Sequence, residues 1–307
     1  MAWTTSWVLD GKDRTTWRAP LPVSTIPSIT LNNGRSIPQL GFGVWQVEDD
    51  QATAAVATAI EAGYRSVDTA AIYENEAGTG KALAASGVAR EELYVTTKLW
   101  NSGKLDWSGE QGRARVERAF EESLTKLGLD HVDLYLIHWP RPMHGDSFLN
   151  IWTVFEKLAA DGRALSVGVS NFGPEQLDKL RERSELVPVL NQVELHPHFP
   201  QHELRAYHAE HGIATEAWSP LGQGKDLLSE PALVKVAEKH GRTVAQVVLR
   251  WHLQSGIIAI PKSVTPSRIR ENLDVAGFEL DAEDLAAVAS VETGTRLGPD
   301  PQQFDWN

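Results

Sequence analysis

The chain has 307 residues, 42% hydrophobic and 23% charged, which is enough apolar material for one large domain or two. Its net charge of −12 argues against general binding to nucleic acid or anionic membranes, although a local basic cluster could still hold a small phosphorylated ligand. Without cysteine there is no disulfide, thiolate metal site or cysteine nucleophile, which fits a reducing cytoplasm.

Residues 1–27 carry Asp10, Lys12, Asp13 and Arg14 and lack the unbroken apolar core of a signal peptide. They read as an extension, partly packed through Trp3, Trp7 and Trp17. No apolar run approaches the length of a membrane span. Extended runs at 28–31 and 36–40 flank Asn32-Asn33-Gly34, a hairpin signal. From there strand-like and helix-like stretches alternate. The strands are expected at 42–45, 66–69, 94–98, 133–138, 164–170, 187–194, 214–218 and 257–261. The helices are expected at 50–62, 76–86, 112–127, 148–160, 174–183, 201–210, 231–254 and 266–274, with one more at 281–291. Eight βα units without a linker predict a (β/α)8 TIM barrel in the α/β class, formed as a single domain over 28–307 with an N-terminal β-hairpin and a short C-terminal tail.

Buried parallel strands should read as aliphatic runs followed by turn residues. Three of these strands instead end at or lead into Asp68, Tyr73, Lys98 and His138. Ionisable groups at strand ends are costly to bury unless they interact, so they point to one convergent site on the face where barrels carry their chemistry. The set reads as a general acid, Tyr73, with an Asp68–Lys98 tuning pair and an orienting imidazole, His138. An ammonium near the phenol is expected to favour the phenolate. The plainer alternative is a structural ion pair beside a packed tyrosine and a satisfied core histidine.

After the last strand, Lys262-Ser263-Val264-Thr265 leads into a helix whose first turn holds Arg268, with Glu271 and Asn272 beyond. Backbone N–H groups at that helix start, with Lys262 and Arg268, suit a phosphate. A solvated basic loop would read the same way. Trp218 ends the seventh strand ahead of Ser219-Pro220-Leu221-Gly222-Gln223-Gly224, where an indole could stack on a planar ring or fill the barrel. Other patterns fail. Gly78-Thr79-Gly80-Lys81 is followed by Ala82 and lacks the first glycine of a P-loop, and Gly41-Phe42-Gly43 has Gln46 where a dinucleotide fingerprint needs its third glycine. Glu194, His196, His198 and His202 suggest a metal superficially, but Pro197 and Pro200 interrupt them, so no metal is expected. No G-x-S-x-G nucleophile is present.

With these residues in view, the chain resembles the aldo-keto reductases, most closely bacterial 2,5-diketo-D-gluconic acid reductase-like members, from about Ile26 to Asp274. The resemblance rests on Gly63-Tyr64-Arg65-Ser66-Val67-Asp68-Thr69-Ala70, Tyr73-Glu74-Asn75-Glu76, Thr97-Lys98-Leu99-Trp100-Asn101 and Leu136-Ile137-His138-Trp139-Pro140. It continues through Val167-Gly168-Val169-Ser170-Asn171-Phe172, Asn191-Gln192-Val193-Glu194, Trp218-Ser219-Pro220-Leu221-Gly222 and Ile260-Pro261-Lys262-Ser263. It implies a (β/α)8 barrel binding NADPH in extended form, with Tyr73 as proton donor. It further implies that Ser170, Asn171 and Gln192 hold the nicotinamide carboxamide and that Trp218 stacks on the ring. Residues Ser219, Pro220, Leu221, Gly222 and Gln223 would cover the pyrophosphate. Lys262, Ser263, Val264, Thr265 and Arg268 would meet the 2′-phosphate, with Glu271 and Asn272 near the adenine. Gly43, Val44 and Trp45 would lie by the nicotinamide.

The resemblance implies NADPH-dependent reduction of aldehydes or ketones (small dicarbonyls, keto-sugars or aromatic aldehydes) by a monomer acting on a small molecule, not on nucleic acid or membrane. A non-catalytic nucleotide-binding subunit on the same fold is the alternative, and a barrel isomerase or lyase with a phosphate site is a third. Trp45, Trp100, Trp139 and Phe172, with Phe304 or Trp306, are expected to rim an apolar substrate pocket above Tyr73 and His138. The chain departs from the family in its N-terminal extension and in a tail shorter than that of mammalian members.

Overall fold

The computed structural model describes residues 26–304; residues 1–25 and 305–307, which include Trp3, Trp7, Trp17 and Trp306, lie outside the described residues. Strands β1 (Ser28–Thr30) and β2 (Ser36–Pro38) form the expected antiparallel hairpin, with Gly34 in the left-handed region that its turn requires. Ile26 packs on the core and the Pro27 carbonyl accepts the Gln39 N–H at 2.8 Å. The packed fold therefore includes the last two residues of the proposed extension.

Eight parallel strands follow: β3 (Phe42–Gly43), β4 (Ser66–Asp68), β5 (Tyr94–Leu99), β6 (Val132–Ile137), β7 (Ala164–Ser170), β8 (Leu190–Glu194), β9 (Ala214–Trp218) and β10 (Ile258–Ala259). They pair in chain order. The sheet closes on itself where Leu40 bridges Ala259. There the Ala259 N–H donates to the Gln39 carbonyl at 3.0 Å, and the Gly41 and Gly43 N–H groups donate to Ala259 and Pro261 at 2.9 and 3.1 Å. This is the expected (β/α)8 barrel.

Outside it lie α1 (Asp49–Ala62), α2 (Glu76–Ala85), α3 (Gly109–Leu127), α4 (Ser147–Ala160), α5 (Pro174–Arg183), α6 (His202–Glu210), α7 (Pro231–His240), α8 (Val244–Gln254), α9 (Pro266–Leu273) and α10 (Ala282–Ala289). Several of them, α3 and α4 among them, turn an apolar stripe towards the core. In α4 that stripe is Phe148, Ile151, Trp152, Val154, Phe155 and Leu158. The single helix expected at 231–254 is instead two. Gly241 ends α7 in a left-handed conformation at φ 59°, and Thr243 opens α8 with a capping box to Gln246. The strand expected from 187 begins at Leu190, since Pro188 has no N–H to donate. The first strand stops at Gly43, because Val44 enters a turn closed by the Val47 N–H.

The two mouths of the barrel differ. Leu31 and Ile37 of the hairpin join Leu134, Leu136, Leu190 and Ile258 in one apolar cluster that seals the N-terminal mouth. The C-terminal mouth carries the backbone strain. Among the described residues, the non-glycine positions with positive φ are Gln46, Glu74, Arg141, Asn171, Gln201, Ser219 and Gln223, and all lie in segments that follow barrel strands. Such conformations persist where surrounding structure over-determines them, and they cluster at functional sites.

Candidate active site

Asp68 ends β4 and Lys98 is the penultimate residue of β5, so neighbouring strands bring them together inside the barrel. The Lys98 Nζ donates to Asp68 Oδ1 at 2.5 Å and to the Thr69 carbonyl at 2.9 Å. Both side chains are buried. Tyr73 lies in the turn after β4 with its hydroxyl 3.5 Å from the same ammonium. His138 follows β6 and meets the Tyr73 ring edge-on at 5.7 Å. The four residues singled out in the sequence thus converge at one point.

Burial and charge oppose each other at Tyr73. Burial pushes the phenol above its ordinary value, and Lys98 pulls it down without winning. Lys98 favours the phenolate, as expected, but its ammonium lies nearer Asp68 and burial outweighs it, so the phenol stays protonated. Burial alone would push Lys98 down, but the Asp68 carboxylate more than reverses this. Burial and then Lys98 hold His138 well below the usual imidazole range, so its ring is neutral near pH 7. Such a ring donates one hydrogen bond, and no described residue partners its Nδ1.

Three further strand ends complete the floor. Ser170, Gln192 and Glu216 sit in register across β7, β8 and β9. The Gln192 amide donates to both Asp68 Oδ2 and Glu216 Oε2 at 2.8 Å. Ser170 Oγ donates to the Gln192 carbonyl at 2.8 Å. Asn171, left-handed at φ 66°, donates to the His138 carbonyl at 3.0 Å and accepts from the Trp218 indole at 2.9 Å. The fixed ring of Trp218 faces a cavity of about 900 Å³.

That cavity is lined by most of the residues expected to bind ligand. Gly43, Trp45, Asp68, Tyr73, Trp100, His138, Trp139, Ser170, Asn171, Gln192 and Trp218 line its inner part. Ser219, Pro220, Leu221, Gln223, Lys262, Ser263, Arg268, Glu271 and Asn272 extend it outward, and Phe304 lines it as well. Lys262 and Arg268 are exposed and have no hydrogen-bond or ion-pair partner among the described residues. Thr265, at the N-cap of α9, makes no side-chain cap, so first-turn N–H groups remain available. These features fit a phosphate-bearing ligand lying along the cleft.

Several expected residues stand apart. Lys98 lies outside the cavity lining, in contact with Asp68 and Tyr73 beneath it. Val44 is buried, and its carbonyl accepts from Asn75. Phe172 is no pocket wall, because it packs edge-on against Phe148 in the core. Gly222 is buried outside the lining, while Val264 and Thr265 point to solvent.

A family model for the aldo/keto reductase family matches residues 39–293. The chain belongs to the aldo/keto reductase family. An aldo-keto reductase of Mycolicibacterium smegmatis is 54% identical over 280 residues, covering 91% of this chain and 98% of the relative. The methylglyoxal reductase DkgA of Escherichia coli is 48% identical over 277 residues, covering 90% and 97%. Among solved structures, a mutant of Gox0644 in complex with NADPH superposes with a TM-score of 0.84 at 45% identity, covering 91% of this chain and 99% of that one.

One residue of the reductase floor went unnoticed in the sequence. Glu216 looks like an ordinary polar strand position but is buried. Burial first, and then the Asp68 charge, push its carboxyl up to about 8. A raised carboxyl contributes stability that is complete below the unfolded value near 4.3 and is lost as pH rises through the folded value. Glu216→Gln keeps an acceptor for Gln192 and removes that loss. The variant should therefore melt above wild type by a margin that grows from pH 5 to pH 9. Melting curves with a margin independent of pH would contradict this.

Proposed function

We propose that this aldo-keto reductase uses NADPH to reduce small carbonyl compounds to alcohols, with Tyr73 as the proton donor. The observation that supports this most directly is the contact chain Asp68–Lys98–Tyr73 beside a neutral His138, on the floor of a cleft that ends at two unpaired cations. Bound NADPH supplies the hydride that reduces the carbonyl carbon. Tyr73 Oη gives its proton to the carbonyl oxygen, and the Lys98 ammonium at 3.5 Å stabilises the negative charge left on the phenol. His138 orients the carbonyl by donating a hydrogen bond, which a neutral ring still does. Ser170, Asn171 and Gln192 would fix the carboxamide, and the indole of Trp218 would stack on the ring. Lys262 and Arg268 would meet the 2′-phosphate.

The substrate side is rimmed by Trp45, Trp100, Trp139 and Phe304. An aromatic wall over a small polar floor suits aromatic aldehydes and small dicarbonyls, and the Escherichia coli relative is named a methylglyoxal reductase. A panel of methylglyoxal, keto-sugars and aromatic aldehydes, assayed with NADPH and with NADH, tests the reading. No turnover on any of them would overturn it in favour of a nucleotide-binding role.

Cofactor choice follows from the cations. Arg268→Ala should weaken NADPH binding by tenfold or more and NADH binding far less, because only NADPH carries the extra phosphate. Fluorescence titration with both cofactors reads this directly. Equal losses would remove Arg268 from the 2′-phosphate site.

A further inference from the structure

The strand-end motif Glu194, His196, His198 and His202 plays no part in the chemistry above, yet Glu194 is fully buried. Both of its carboxylate oxygens are engaged. Oε1 accepts the Leu297 N–H at 2.6 Å and faces His196 Nε2 at 3.0 Å, while Oε2 accepts the Gly298 N–H at 2.9 Å. Burial would push this carboxyl up, but the His196 ring and the two backbone donors outweigh burial and hold it below the usual range. An ionised group on the barrel wall therefore grips the backbone of a segment 104 positions away in sequence.

That segment runs on over the active-site mouth. Gly298 lies against Trp218 so closely that a Cβ there would sit 2.5 Å from the indole Cη2 and 3.0 Å from Glu194 Oε2. Gly298, Pro299 and Phe304 line the cavity, and Phe304 stacks on Trp139 with centroids 3.9 Å apart. Arg296 adds an ion pair to Glu194 Oε2 at 3.9 Å and lies 4.6 Å over the Phe199 ring, and two neutral attachments flank the grip. Thr293 and Gly294 donate to the His198 carbonyl at 3.1 and 2.9 Å, and Gln302 pairs reciprocally with Gln176 at 3.0 and 3.3 Å. Hydrogen bonds to an ionised acceptor are roughly twice as strong as neutral ones. The Glu194 grip is therefore the principal attachment where the segment crosses Trp218.

We propose that Glu194 is a positioning residue for substrate selection. It clamps the strap of residues 296–304 so that Phe304 and Pro299 form the outer apolar wall of the pocket. The proposal rests on the reading of this cavity as the carbonyl site. Large aromatic aldehydes would touch the wall, whereas two- and three-carbon carbonyls would not reach it. Releasing the clamp should therefore change which substrates are preferred more than it changes the chemical step.

Two variants test this from opposite sides. Glu194→Ala removes the grip, and Gly298→Ala forces the strap off Trp218 from outside the barrel, which keeps the test alive if the first variant folds poorly. Trypsin should cut the Arg296–Leu297 bond at least tenfold faster in either variant, read by mass spectrometry as loss of residues 297–307. The kcat/KM ratio of an aromatic aldehyde to methylglyoxal should fall at least fivefold, with the change carried in KM. Wild-type cleavage rates in both variants would overturn the clamp. Faster cleavage with an unchanged ratio would overturn its role in selection. A wild-type protein that reduces no carbonyl would sink the function reading instead, and the proteolysis alone would then decide the clamp.

Discussion

Tyr73→Phe is expected to lower carbonyl turnover by at least 10²- to 10⁴-fold, the usual range for general acid catalysis, while NADPH binding stays near wild type. The substitution deletes one oxygen and leaves the ring that packs edge-on against His138. No other described residue places a proton-bearing oxygen 3.5 Å from the Lys98 ammonium. The raised phenol adds a pH signature. Because burial outweighs Lys98, the proton stays on Tyr73 through neutrality and into the alkaline range. Reduction by the wild type should therefore show no alkaline limb from this group below its ordinary value near 10. Single-turnover rates with saturating NADPH, measured for both proteins, check the assignment. Near wild-type reduction by Tyr73→Phe would remove Tyr73 as the donor.

The barrel and its four central residues were legible because each broke a local rule. A lysine, an aspartate and a histidine at the ends of aliphatic strands make no sense as core, and βα alternation sets the face on which they meet. What the sequence could not show are quantities that depend on non-local geometry. Lys98 does favour the phenolate, but burial of the phenol outweighs it, and that burial exists only in the fold. Phe172 follows Asn171 directly, yet the left-handed backbone at Asn171 sends the next side chain towards Phe148. Glu216 sits in a strand whose pattern gives no sign of burial, because Gln192 satisfies it from the neighbouring strand. Glu194 and the histidines that follow imitated metal ligands because they alternate in sequence, but His198 lies in a turn and His202 opens α6. The partner of Glu194, the backbone at Leu297 and Gly298, leaves no trace in residue type.

Lys98→Met carries the largest expected effect on stability. The methionine nearly matches the lysine stem in volume, so the change removes the ammonium without opening a large cavity. Among the described residues, Asp68 then keeps only the Gln192 amide as a side-chain donor, deep in the barrel. Breaking a buried pair from one side typically costs about 3–5 kcal/mol, because the remaining charge has nowhere to go. Urea unfolding of the variant should therefore show a large loss of stability against wild type. Adding Asp68→Asn removes the stranded charge. The double variant should regain most of the lost stability, and a double-mutant cycle by urea unfolding at pH 5 and pH 8 measures the coupling. Turnover should not return with it, since Tyr73 still lacks the cation proposed to stabilise the phenolate left by proton transfer. A double variant as unstable as Lys98→Met alone would mean that packing, not the charge of Asp68, sets the cost. A double variant with restored turnover would remove the ammonium from the proton-transfer step.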